Sequence, residues 1–402
     1  MTNEEFIQLH RHEETRSLAL RQIPDGVDAK YCLQQIDGWQ TACRKLPRWA
    51  STEGLLYPPR LAMEQCSSEP TARYKRDVVM RLLRADGGGC RSMADLTGGF
   101  GVDFSYLAPC FEEAFYVEQR EELCALALHN FPLLGLPHAR VVCAETRASL
   151  PLLQHRFSFL FLDPARRSAS GRKVVSIEDC SPDIAMLHDI LMQASPVVMV
   201  KLSPMLDIAS ALKALPATSE IHVVSVEGEC KELLLLLRRG EGQTIHCVNL
   251  CSADPDIVLP LASTDEAACL CGTAFDGACL YEPNASILKA GVQNALCKLY
   301  SVEKLHPHSH LFVGRNPIPH FPGRTFRICG HSDFSKRGIK QLLGNLKQAN
   351  ITLRNFPSTT AELRNKLRLR EGGDTYLFAT TLCNGAHVLL RCEKIPRPDT
   401  MA

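Results

Sequence analysis

Apolar positions recur at helical spacing through the first 85 residues, in "NEEFIQLHRHEETRSLALR", "DAKYCLQQIDGWQTACRKL" and "TARYKRDVVMRLLR". Two prolines in "LLYPPR" interrupt the run, and "ADGGG" ends it. From Arg91 the pattern changes to short β-rich runs separated by helices: "EEAFYVEQ", "ARVVCAE", "FSFLFLDP", "SPVVMVKLS" and "EIHVVSVEG". Several are apolar on both faces, which predicts a parallel sheet covered on both sides, and so an α/β fold. After Arg239 the alternation loosens, and "CSADPDIVLPLASTDEAACLCGTAFDG" reads as an insertion or linker. "SILKAGVQNALCKLY" then predicts a helix, with "SHLFVG" and "TFRICG" as strands. The end alternates helix "SKRGIKQLLGNLKQA", strand "ITLRNF", helix "TAELRNKLRL" and strands "TYLFATTL" and "AHVLLRCEKI", so small α/β modules close the chain.

Composition narrows the class. With 402 residues, 45% hydrophobic and 22% charged, the chain has material for two or three globular domains. No apolar run approaches the ~20 residues of a membrane span, and the start is charged where a signal peptide would be apolar, so a cytoplasmic location is expected. The 18 cysteines include no C-x-x-C pair and read as reduced thiols. The densest group, Cys247, Cys251, Cys269, Cys271 and Cys279, fits no usual zinc spacing, and no metal site is assigned. Net charge is +1, but His331 to Ala402 holds twelve Lys/Arg against six Asp/Glu, a surplus of +6. A basic terminal module suits a polyanion; a solvated helix face is the other reading.

The densest chemistry lies in "MADLTGGFGVDFSYLA", residues 93 to 108. A phosphate loop would carry a lysine and a dinucleotide loop would space its glycines G-x-G-x-x-G; this stretch does neither. Gly98, Gly99 and Gly101, with Thr97, fill the first strand-to-helix turn, where ligands approach an open parallel sheet. Glu118, ending the next strand, is placed to accept from two ribose hydroxyls. Asp95 and Asp103 flank the turn. A carboxylate there repels a pyrophosphate but suits a cationic amino-acid end, so the expected cofactor is S-adenosylmethionine. Glu145 after the third strand could accept from the adenine amino group, and Asp163 and Pro164 end the fourth strand where a methyl acceptor must approach.

With those residues in view, 91 to about 250 resemble a class I S-adenosylmethionine-dependent methyltransferase, which implies a Rossmann-like sheet. The whole chain resembles a narrower family of bacterial methyltransferases with a helical N-terminus, a small ferredoxin-like module and a C-terminal THUMP-like domain. The resemblance is carried by "EQCSSEPTARYK", "DLTGGFGVD", "LDPARR", "YEPNASILKAG" and "NFPSTTAELRNKLRLREGGDTYLFATTL". It implies a helical region over 1–86, a catalytic domain over 87–255, a linker and ferredoxin-like module over 256–327, and a THUMP-like domain over 328–402. THUMP domains elsewhere recognise RNA, usually transfer RNA, so the implied substrate is structured RNA (tRNA or rRNA).

Three acceptor atoms compete. Methylation of a pyrimidine carbon needs a cysteine nucleophile, and neither "VMVKLSP" nor "DPARR" supplies one. An exocyclic nitrogen is favoured because "DPAR" resembles the D-P-P-Y loop of amino methyltransferases: Asp163 and Pro164 match, while Ala165 and Arg166 replace the second proline and the aromatic. A ribose 2′-oxygen would use a Lys-Asp-Lys-Glu set, for which Lys75, Asp163, Lys201 and Glu232 (or Glu229) stand in the right order. Taken singly, Lys75 on an amphipathic helix reads as a solvated surface residue. Arg166, Arg167, Arg172 and Lys173 form a basic loop suited to a phosphate backbone, or simply to solvent. In "CSSE", Ser67, Ser68 and Glu69 either line the cofactor entrance or cap the following helix. A non-catalytic RNA-binding protein on a methyltransferase scaffold is the reading from another class.

Overall fold

The structure, a computed structural model, describes residues 1–85, 91–146, 148–149, 157–166, 177, 180–240, 242–252, 254–261, 275 and 277–396. The chain divides into two compact units, Met1–Ile221 with Leu233–Glu241, and His222–Glu232 with Gly242–Ala402.

The first unit opens with helices Asn3–His10, Ala29–Lys45, Arg60–Gln65 and Glu69–Ala85. The second of these is started by the Asp28 carboxylate, which accepts from the Tyr31 N–H. The last presents Ala72, Lys75, Val78, Val79 and Leu82 on its buried side. Strands β1 (Ser92–Asp95), β2 (Glu113–Glu118), β3 (Ala139–Cys143) and β4 (Phe159–Leu162) follow. A short antiparallel pair, β5 (Ala165–Arg166) with β6 (Cys180–Ser181), precedes β7 (Val197–Leu202). β8 is Thr218–Val226 and β9 is Glu229–Arg238.

Within the first unit the sheet runs β9-β7-β4-β1-β2-β3. β7 to β3 are parallel, in register Met93↔Phe159, Asp95↔Tyr116, Glu118↔Cys143 and Leu162↔Val200. Every residue of β4 is buried, as a strand covered on both faces requires. The chain order reverses beside β1, and that reversal places the ligand crevice at the strand ends carrying Asp95, Glu118 and Asp163. β9 lies antiparallel to β7, with Leu202↔Leu233 and Val197↔Arg238. The sequence pattern does not single out this strand, because its five consecutive buried leucines lack the β-branched and aromatic residues that mark the other apolar runs as strands, and leucine suits a helix equally well.

The second unit holds the antiparallel pair β10 (Thr244–Leu250) and β11 (Ile257–Pro260). It also holds a seven-stranded sheet made of β12 (Cys279–Pro283), β13 (Glu303–Lys304), β14 (Phe312–Gly314), β15 (Gly323–Ser332), β16 (Asn350–Arg354), β17 (Thr375–Thr381) and β18 (His387–Lys394). Its order is β13-β14-β12-β15-β18-β17-β16, with only β16–β17 parallel. One core packs Leu280, Phe326, Phe378 and Leu390; another packs Leu343, Leu363 and Leu377 under the helices Lys336–Leu343 and Thr360–Leu367.

Three local readings change. The expected helix over "SILKAGVQNALCKLY" is two, Ala285–Ala290 and Ala295–Tyr300, because Gly291 takes a left-handed φ of 74° and caps the first. The expected linker after Arg239 contains β11, although Cys269 and Cys271 lie outside the described residues. Fourteen described cysteines form no disulfide, but Cys383 is disulfide-bonded, a departure from the all-thiol reading. Among the described residues, no helix is long and apolar enough to cross a membrane.

Candidate active site

β1 delivers Asp95 to the crevice with only 1% exposure. Its Oδ1 accepts from the Thr97 N–H at 3.0 Å, and the Gly98 N–H continues the strand pairing to the Val117 carbonyl at 2.8 Å. Gly98 is required by its neighbour: a Cβ there would sit 2.2 Å from Cε2 and 2.5 Å from Cζ of Tyr116. That ring is buried and its hydroxyl donates to the Gly99 carbonyl. Gly101 has φ +83° and a virtual Cβ 2.9 Å from Phe131. Gly98→Ala is therefore expected to lower stability by about 1–3 kcal/mol through overpacking and to weaken cofactor binding by displacing the turn. Thermal melting and a binding titration check it; a variant matching wild type in both would mean that the turn relaxes freely.

Glu118 is fixed before any ligand arrives. Oε2 accepts the Gly99 N–H at 2.8 Å and Oε1 the Arg120 N–H at 2.9 Å and Arg120 Nε at 3.4 Å, so both oxygens are aimed and Oε2 keeps a lone pair for a hydroxyl. Glu145 sits exposed on the turn after β3, which is pinned by the Ala144 N–H on the Glu118 carbonyl and by the Thr146 hydroxyl on the Leu96 carbonyl.

The acceptor side is tied to the glycine turn by one hydroxyl. Thr97 Oγ1 lies 3.4 Å from Asp95 Oδ1 as donor and accepts the Asp163 N–H at 2.6 Å. The Asp163 side chain is 38% exposed, and its Oδ2 lies 2.5 Å from Lys201 Nζ. Lys201 Nζ lies 3.7 Å from Asp103 Oδ2, and Asp103 Oδ1 lies 3.2 Å from Lys75 Nζ. Lys75 is 0% exposed and also donates to the Ser67 hydroxyl and the Thr71 carbonyl. Asp163, Lys201, Asp103 and Lys75 thus form a row of alternating charge running from solvent into the core.

This row reassigns several expected roles. Lys75 is a core residue rather than a surface one, and it meets Asp103 while Lys201 links Asp103 to Asp163. Ser67 belongs to the site, donating to Asp103 Oδ2 at 2.7 Å. Ser68 serves the helix start through Thr71, and Glu69 accepts from the Arg48 N–H and from Arg73. Glu232 is buried on β9, in the residues that belong to the second unit, and Glu229 begins the same strand. Pro164 is buried after Asp163, and Arg166 follows in β5. Arg167, Arg172 and Lys173 lie outside the described residues.

The two inner aspartates differ electrostatically. Burial pushes the Asp95 carboxyl well above the usual carboxylate range, and the nearby Asp103 and Asp163 push it further; among the described residues, Thr97 opposes them. Burial also raises Asp103, but Lys75 and Lys201 outweigh it and hold that carboxyl below its ordinary value. None of these main influences on Asp95 is a cation. The site therefore holds one carboxylate already matched by lysines and one that a cationic ligand would match.

The parallel sheet, the glycine turn and the acidic strand ends define a Rossmann-like methyltransferase domain. The chain resembles, at 31% identity and a TM-score of 0.84, a crystal structure from Porphyromonas gingivalis W83 described as a "putative methyltransferase", covering 98% of each chain. It belongs to that protein's family. Residues 280–322 match the family described as a ferredoxin-like domain, and residues 323–394 match the THUMP domain-like family. Two more distant structures align with less than half of the chain. An O-methyltransferase from Bacillus cereus is 12% identical, covers 43% of this chain and 83% of its own, and gives a TM-score of 0.32. An rRNA methylase from Streptococcus thermophilus is 11% identical, covers 43% and 98%, and also gives 0.32. No curated protein matches the sequence.

Proposed function

We propose that the protein transfers a methyl group from S-adenosylmethionine to an exocyclic base nitrogen of structured RNA, with catalysis in 87–255 and RNA capture in the C-terminal modules. The observation that carries this is the buried Asp95, with no cation among the main influences from the described residues, joined through Thr97 to the half-exposed Asp163. When bound, the cofactor supplies an electrophilic methyl group on a sulfonium. Asp95 would hold its ammonium end and Glu118 its ribose, with Gly98, Gly99 and Gly101 allowing close approach and Glu145 facing the adenine. Asp163 accepts an N–H of the incoming amine, so orients the nitrogen lone pair, and takes up the proton that the nitrogen sheds as its bond to the methyl group forms. Lys201 holds that carboxylate in place. The ribose reading asks Lys75 to act as a base, and its burial against Asp103, Ser67 and Thr71 weighs against that role. RNA as substrate is supported by the THUMP-like match and by the +6 tail.

Asp95→Asn tests the cofactor half. It should weaken S-adenosylmethionine binding by roughly 1.5–3 kcal/mol, because a charged hydrogen-bond partner is removed. The sign with pH follows from the raised carboxyl. In the free protein Asp95 removes stability as pH rises from the ordinary carboxylate range through its folded value, and Asn abolishes that loss. Wild-type cofactor affinity should increase over the same interval, since the cation prefers the carboxylate. Calorimetry across pH checks both; an Asn variant binding like wild type at neutral pH defeats the assignment.

A further inference from the structure

On the second unit, Glu282 is buried on β12 while both of its oxygens are held by guanidinium groups. Arg324, directly opposite on β15, reaches Oε2 through Nε at 2.8 Å and also through Nη2; Arg354, ending β16, reaches Oε1 through Nη2 at 2.8 Å and Nε at 3.2 Å. One carboxylate thus orients two arginines and leaves one positive charge in excess. The arginines themselves remain 43% and 37% exposed. A forked guanidinium that is already immobilised loses little freedom on gripping a phosphate.

Three histidines adjoin this clamp. His306 Nδ1 accepts the His308 N–H at 3.0 Å and lies 3.0 Å from the Asn355 amide, which places the neutral ring's proton on Nε2. The His306 and His308 rings are 5.4 Å apart, and His308 is exposed. His310 has a buried Nδ1 with no hydrogen-bond partner, and its ring is kept neutral by burial and by Lys304 and Arg354. His310 and Asn355 both take left-handed backbone conformations, φ 54° and 50°, which non-glycine residues adopt at some energetic expense.

We propose that Arg324 and Arg354, clamped by Glu282 and flanked by His306, His308 and His310, grip a backbone phosphate of the RNA while an exposed imidazole stacks on an adjoining base. Guanidinium and imidazole planes serve both interactions with RNA. The proposal rests on the RNA reading above and adds the surface that captures the strand.

The test is fluorescence anisotropy of the full-length protein with a labelled, unmodified tRNA transcript at several potassium chloride concentrations. Arg324→Gln/Arg354→Gln should bind at least about tenfold more weakly, and the slope of log affinity against log salt should flatten by roughly 0.7–0.9 for each phosphate no longer neutralised. His308→Ala should weaken binding about fivefold without changing the slope, as removal of a stacking ring does. Cofactor affinity should be unchanged in both. If wild type binds and both variants match it in affinity and slope, the surface is wrong and the RNA reading stands. If wild type binds no RNA even at low salt, both fall. Should the arginine variant unfold, His308→Ala decides alone.

Discussion

Lys75→Met is expected to lower the unfolding free energy of the first unit by about 3 kcal/mol, toward the low end for breaking a buried ion pair. The methionine fills the space, but Asp103 loses a partner at 3.2 Å and keeps only Lys201 at 3.7 Å and the Ser67 hydroxyl. The sign with pH is fixed. Because Asp103 is held below its ordinary value, the pair's contribution is present above the usual carboxylate range and fades as pH falls through the folded value. The gap between wild type and variant should therefore close in acid. Adding Asp103→Leu should restore much of the stability, since it removes the stranded charge. Trp39 and Trp49 are the two tryptophans and both lie in this unit, so their fluorescence in denaturant reports it directly. A variant within about 1 kcal/mol of wild type at neutral pH would show that the lysine is not the partner burial makes it.

Asp163→Ala is expected to reduce turnover by about 10²–10⁴-fold, the usual range for removing a group that handles the reacting proton. Cofactor affinity should change little, because Asp95 and Glu118 remain. Lys201→Ala should cost less, loosening the Asp163 carboxylate without removing it, and Lys75→Ala should act through stability rather than chemistry. The assay uses labelled cofactor and unmodified RNA, followed by digestion to nucleosides. Label on an exocyclic base nitrogen is the expected result. Label on ribose, with both lysine variants inactive yet still binding cofactor and RNA, would reassign catalysis to the Lys-Asp-Lys-Glu set.

Much of this site is legible in the sequence because its chemistry is local. Asp95, the glycines, Glu118 and Asp163 each end a strand or fill a turn that the apolar pattern locates, and strand ends are where a parallel sheet meets its ligand. Lys75 is harder to place, because a lysine on an amphipathic helix ordinarily faces water. Ala72, Val78, Val79 and Leu82 lie three, three, four and seven residues from it, so this lysine falls inside the apolar stripe rather than on a solvated face. Its partner is not legible at all, since nothing short of the folded sheet brings Asp103 to it. β9 is hidden for a different reason: a run of leucines, without the β-branched or aromatic residues of β4 and β7, cannot be told from a buried helix by its pattern.

The row of charges also bears on the order in which ligands arrive. Asp95, Asp103 and Asp163 oppose Lys75 and Lys201, so this row of described residues carries one uncompensated negative charge whenever Asp95 is ionised. A polyanion nearing it meets repulsion at close range, inside the roughly 8 Å over which physiological salt leaves fields unscreened. A singly cationic cofactor cancels that charge and leaves the row neutral. Loading is thus expected to be sequential, small cation before nucleic acid, with RNA affinity rising when a cationic cofactor analogue is present and staying flat with one lacking the positive centre.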